Sequence, residues 1–170
     1  MRGWTAPLIV VFVTAFAAHW ATLTYAPNVI MDRALAVLRD RGVALHAFTT
    51  PQRITPQTQA VVRSSPDLFY SLCRYDLSQH EGTLKVTMSE WPDYQSLSFF
   101  DGSTNNFATY RGTGKSITVR LVRPNLEYLD PKAVVSPTNR GAVLIRRLAP
   151  TQEAFDAAIE AARGDSCDRL

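Results

Sequence analysis

The residues best suited to chemistry crowd into one short stretch. Asp101, Thr104, Asn105 and Asn106 lie within six positions, and Arg111 follows. Arg74 and Asp76 alternate on an earlier apolar segment, and Arg146 is a further cation near the carboxyl end. Such a set has two physically distinct uses. In the first, Asp and Asn side chains bond nearby backbone amides and tolerate left-handed backbone, so the cluster is a turn, with a buried Arg–Asp pair locking the sheet edge. In the second, Asp101 and Asn106 converge with Arg74 or Arg146 on a pocket for a small polar or anionic ligand. There the planar guanidinium fork makes paired contacts to a carboxylate or phosphate. The residues alone leave both readings open.

Covalent catalysis has thin support. A nucleophile needs a base and an orienting group within hydrogen-bond reach. His46 and His80 fall in loop-like stretches, and Cys73 lies inside an apolar segment as a small core residue. No two histidines have metal-ligand spacing, and two cysteines are too few for a four-cysteine zinc site. The expectation is therefore no catalytic residue, no metal and no cofactor. Cys73 and Cys167 would form a disulfide in an oxidising compartment, tying the carboxyl-terminal tail to the body. Gly112-Thr113-Gly114-Lys115-Ser116 lacks the four-residue gap of a phosphate loop and precedes a strand pattern, so it reads as a hairpin turn. Eighteen Lys and Arg against fifteen Asp and Glu leave a net charge of +3, far from the dense basic footprint of a nucleic-acid binder.

The elements that must position these residues begin with an apolar run. Pro7 to Ala26 contains no Asp, Glu, Lys or Arg. Twenty helical residues reach about 30 Å, the hydrocarbon thickness of a bilayer. Trp4, Trp20 and Tyr25 sit near its ends, as aromatic residues do at membrane interfaces. The rival is a cleaved signal peptide, with Arg2 as its charged start and Ala15-Phe16-Ala17 as the cleavage site. Apolar residues continue past that site, which favours an uncleaved signal-anchor over residues 1–27. His19 inside the run reads as a neutral imidazole near the interface. Arg33, Arg39 and Arg41 follow the run, a count that opposes export. Long folded domains cross largely regardless of such charges, so the domain is placed outside and the amino terminus in the cytoplasm.

Residues 28–42 read as an amphipathic stalk helix. Val29, Ile30, Ala34, Val37 and Leu38 are at helical spacing, Pro27 and Asn28 mark its start and Gly42 its end. Residues 43–170 read as a β-rich domain. A proline-punctuated excursion fills His46 to Ser65, and then the period changes to two. Candidate strands are Leu68–Leu77, Thr83–Met88, Gln95–Asp101, Ser116–Val122 and Ala142–Leu148, parted by turn clusters. The fold class expected is mainly β, an antiparallel sandwich or partly open barrel. A helix over Thr151–Arg163 closes the chain, with Thr151 as cap and Gly164 as stop.

Three segments carry a resemblance. Ser65-Pro66-Asp67-Leu68-Phe69-Tyr70-Ser71 leads into Tyr75-Asp76-Leu77-Ser78. Tyr94 to Phe107 is a strand ending in Asp101 and then Thr104-Asn105-Asn106-Phe107. Pro137-Thr138 precedes Val143-Leu144-Ile145-Arg146-Arg147-Leu148. Together these resemble the domain of unknown function 1254 family, with Ser65 and Leu68 standing where that family has asparagine and threonine. The resemblance implies a β-rich domain exported beyond the inner membrane, with no established activity. By analogy with larger relatives, it implies a separate partner protein carrying the domain of unknown function 1214.

The expectation is a single-pass inner-membrane protein whose periplasmic domain binds a ligand or another protein. The alternative is an envelope enzyme or enzyme subunit with a polar pocket around Asp101. A third is a structural subunit of a membrane complex.

Overall fold

The computed structural model describes residues 3–53, 64–78, 81–112, 114–126 and 130–170. His80, Thr113, Arg2 and half of the proline-punctuated excursion, residues 54–63, lie outside them.

Helix α1 runs from Thr5 to Asp40, 36 residues and about 54 Å. It is long and apolar enough to cross a membrane, and its apolar window is not buried against the rest of the chain. The helix continues through Pro27 into the stalk segment without a break. Proline removes one N–H and crowds the preceding turn. Here Asn28 Nδ2 donates to Thr24 O (3.3 Å) and Thr24 Oγ1 to Trp20 O (2.9 Å), so side chains supplement the ladder around the gap. Asn28 is thus a mid-helix residue and not a cap. Gly42 ends the helix at φ +81, where a side chain would be strained. Its N–H donates to Arg39 O, and Val43 N–H reaches back to Leu38 O, closing the last turn.

Among the described residues, eight strands follow in two sheets of four. They are β1 (Leu68–Asp76), β2 (Thr83–Met88), β3 (Gln95–Phe100), β4 (Asn106–Arg111), β5 (Ile117–Val122), β6 (Val134–Val135), β7 (Arg140–Leu148) and β8 (Ser166–Arg169). One sheet has the order β1-β7-β3-β4, all antiparallel. The other has the order β6-β5-β2-β8, with β6 parallel to β5. Helix α2 (Gln152–Ala162) lies between β7 and β8, capped by Thr151 Oγ1, which accepts from Ala154 N at 3.1 Å.

The five anticipated strands are present within two residues at each end. Three were not anticipated. Strand β4 follows so closely on the Asp101 turn that its apolar residues, Phe107 and Tyr110, fall outside clean alternation. Strand β6 has two residues. Strand β8 lies in the carboxyl-terminal tail, where Ser166 to Arg169 pairs with Leu84 to Thr87 of β2.

The two sheets enclose one core. Cys73, Tyr75, Leu97, Phe99, Val143 and Ile145 from the first sheet meet Leu84, Val86, Met88, Val119 and Leu121 from the second. Cys73 on β1 and Cys167 on β8 are joined by a disulfide that staples one sheet to the other. A smaller cluster of Phe69, Trp91, Ala149, Phe155 and Ala158 seats α2. After α1, the chain runs beside β1, where Leu45 bridges Arg74 and Thr49 bridges Leu72. This covers an otherwise open sheet edge.

Candidate ligand groove

The Asp101 cluster is first of all a turn. Asp101 Oδ1 accepts from Ser103 N (2.8 Å) and Asn105 N (2.9 Å), and Oδ2 accepts from Asn105 Nδ2 (3.0 Å). The carboxylate is buried, and its hydrogen bonds hold Thr104 in the left-handed region at φ +67. Gly102 N donates to Thr138 Oγ1 at 2.7 Å, so the turn is tied to the segment leading into β7. Asn106 starts β4 with its side-chain amide 3.0 Å from Thr109 Oγ1.

The register distributes the remaining residues. Arg74, Ala142, Phe100 and Asn106 form one row across the first sheet. Arg74 and Asn106 are therefore three strand spacings apart, about 14 Å. Tyr70, Arg146, Ser96 and Arg111 form another row, four residues further along the strands, about 13 Å away. The eight suggested ligand residues thus occupy three places: the turn, the β1 end with Arg74 and Asp76, and the Arg146–Arg111 row.

One of those places opens into a groove. Where α1 crosses the ends of β1 and β7, two adjoining hollows of about 300 and 340 Å³ share Asp32 and Arg140. The first is lined also by Arg39, Arg74 and Asp76, and the second by Asn28, Gly102 and Thr138. Arg140 Nη2 lies 3.5 Å from Asp32 Oδ1, an exposed pair at the seam. Arg74 Nε donates to Val43 O at 2.9 Å, which fixes the root of its guanidinium. Asp76 Oδ1 accepts from Ser78 N (2.9 Å) and Ser78 Oγ (2.5 Å). Ser103 Oγ donates to Asn28 Oδ1 at 2.6 Å, docking the Asp101 turn on the helix.

The helix supplies half of this groove, and it does so with an unexpected face. Val29 and Ile30, part of the apolar stripe, are 58% and 60% exposed, while Met31 is 7% exposed. The docked face is Asn28, Met31, Asp32 and Leu35, a mixed polar stripe at spacings of three and four. The visible signal was the placement of Asn28, Asp32, Leu35 and Arg39 along one helical side.

Tyr75 stands behind the groove. Its hydroxyl donates to Phe100 O (3.1 Å) and lies 3.0 Å from Ser136 Oγ. Burial pushes the phenol well above its ordinary range, and the Asp101 charge adds to this, against the Ser136 hydrogen bond.

A second polar centre escaped the sequence reading. Arg147 and Asp165 form a fully buried ion pair, and Ser89 Oγ accepts from Arg147 Nη2 at 2.9 Å and donates to Ala161 O at 2.6 Å. Arg147 follows Arg146 with nothing in the sequence to set it apart, and Asp165 sits beyond α2 with no local pattern to mark it. Among the described residues, no group of three or more His, Cys, Asp and Glu is placed to hold a metal ion.

A helix long and apolar enough to cross a bilayer, joined to a two-sheet β domain with a polar groove at the joint, defines the chain as a β domain led by an apolar helix. The chain belongs to the family described as Protein of unknown function (DUF1254), which it matches over residues 46–167. The solved VPA0106 protein from Vibrio parahaemolyticus is similar in fold, with a TM-score of 0.63 at 14% identity, covering 86% of this chain and 35% of that one. A putative uncharacterized protein from Burkholderia cenocepacia is matched at 15% identity and a TM-score of 0.45, covering 73% of this chain and 34% of that one. The chain thus spans about a third of the length of these solved relatives. No curated protein matches it.

Proposed function

We propose that this is a single-pass inner-membrane protein whose β domain lies in the periplasm and binds a small polar or anionic ligand. The observation that carries the binding role is the groove, where Arg74 is anchored through Nε and faces open space with Arg39 and Arg140 nearby. Arg140 is paired with Asp32 and Arg39 with Asp40, which leaves the Arg74 guanidinium to meet a carboxylate or phosphate group in a space of about 300 Å³. The Cys73–Cys167 bridge supports the compartment, because such bridges persist where the environment is oxidising. The uncharged stretch of α1 supports the anchor.

Two measurements test this reading. The first fuses alkaline phosphatase to the carboxyl terminus; activity is expected, and an inactive fusion with a fluorescent cytosolic counterpart would place the domain on the other side. The second titrates the full chain in lipid nanodiscs with inorganic phosphate. Binding is expected to weaken about tenfold in Arg74→Gln. Equal binding by both proteins removes the groove from the account.

A partner protein carrying the domain of unknown function 1214 remains part of the proposal, as the protein that would complete the assembly. Co-purification of the full chain from native membranes tests it, with that protein expected among the retained components.

A further inference from the structure

This inference rests on the groove as a ligand site and specifies the ligand's chemistry. Arg74 and Asp76 stand two residues apart on one face of β1, about 7 Å along the strand. Both line the groove, yet no ion pair joins them among the described residues. Each is held from elsewhere. Arg74 is tethered by Nε to Val43 O, and its terminal amino groups make no intramolecular hydrogen bond among the described residues. Asp76 is tethered by Oδ1 to Ser78, which leaves Oδ2. The strand therefore keeps a cation and an anion apart while presenting both to one space.

The helix side adds Asp32, paired with Arg140 at 3.5 Å, and Arg39, paired with its neighbour Asp40 at 3.2 Å, so the groove holds both signs on this wall too. A purely anionic ligand would gain from the arginines and be repelled by two carboxylates. A ligand carrying both signs on a short linker would be matched by the β1 pair directly. We infer that the groove takes a zwitterion: an oxyanion and a primary ammonium a few atoms apart, the chemistry of phosphoethanolamine.

Two sources carry that chemistry, a phospholipid head group and a free solute. The joint favours the first. Asp32 lies six residues beyond Ala26, about 9 Å along the helix. If Pro7 to Ala26 fills the hydrocarbon layer, the groove mouth opens near the level of the head groups.

The test uses the full chain purified in detergent. Native mass spectrometry counts retained phosphatidylethanolamine and phosphatidylglycerol, and calorimetry follows soluble phosphoethanolamine. Asp76→Asn keeps the Oδ1 acceptor for Ser78 and removes only the charge. Asp32→Asn repeats the test from the helix side should Asp76→Asn melt early. The native chain is expected to prefer phosphatidylethanolamine by about fivefold, Asp76→Asn to level the two lipids, and Arg74→Gln to weaken both. Binding of phosphoethanolamine alone, with the same response to the variants, supports the zwitterion and assigns a free solute as its source. Equal or better retention of phosphatidylglycerol, still weakened by Arg74→Gln, overturns the zwitterion and leaves the anion groove standing. No response of any probe to either variant overturns both.

Discussion

Arg147 grips both carboxylate oxygens of Asp165, at 2.6 and 2.8 Å, with neither side chain open to solvent. The pair joins β7 to the turn between α2 and β8. Asp165 Oδ1 also accepts from Ser89 N at 2.9 Å, so one carboxylate holds three elements. Removing one partner leaves the other charged and buried. Asp165→Ala is expected to cost about 3–5 kcal/mol in urea unfolding of the solubilised chain. The double change Arg147→Met with Asp165→Leu should cost clearly less, because no orphan charge remains.

The disulfide closes a long loop, its two ends 94 positions apart in sequence. On chain-entropy grounds it stabilises by about 4–5 kcal/mol. Cys73 and Cys167 are both shielded from solvent. Mild reductant should therefore leave the melting temperature unchanged, and reductant with denaturant should release two thiols and lower it on refolding. Thiol titration against urea concentration checks this; full reduction under native conditions would contradict it.

Tyr75 sets a pH dependence with a definite sign. Its phenol is raised in the folded protein, whereas the unfolded chain ionises near the ordinary value of about 10. The contribution is complete below that value and declines as pH rises past it, by about 1.4 kcal/mol per unit until the folded phenol ionises. Unfolding free energy should fall more steeply above pH ~10 in the native chain than in Tyr75→Phe. Parallel slopes would refute the assignment.

Gly141 has no room for a side chain. A Cβ there would lie 2.1 Å from Phe100 O and 2.4 Å from the Tyr75 hydroxyl. The first obstacle is backbone of β3 and has little freedom to move. Gly141→Ala is expected to destabilise by at least about 2 kcal/mol, read by thermal melting. Gly114→Ala meets nothing within 4 Å, but its φ of +77 strains any side chain, so a smaller loss of about 1 kcal/mol is expected.

Much of the scaffold was legible because it obeys local rules. Leu84, Val86 and Met88 alternate with polar neighbours, and β2 was bounded correctly from that alone. Thr151 and Phe155 with Ala158 marked α2 by capping and by spacing. Strand β8 was not legible, because four mostly polar residues acquire their role only by pairing with β2. The groove was half legible. Arg74 and Asp76 announced themselves as charges on an apolar strand. Asp32 and Arg140 carry no local signal, because they share a space only where the helix passes over the sheet. The Asp101 cluster was correctly noticed as dense, and its density is accounted for by the hydrogen bonds of one turn. Arg147 shows the limit most plainly: nothing in its neighbours Arg146 and Leu148 distinguishes a fully enclosed guanidinium from a half-exposed one.

Because α1 runs unbroken through Pro27 and meets the body at Asn28 and Asp32, a helix of this kind crossing a bilayer would carry the domain as a mast and not as a tether. Any change in its tilt or roll within lipid would swing the whole body as one piece. Bilayer thickness would then dictate which flank faces the surface, and at what height.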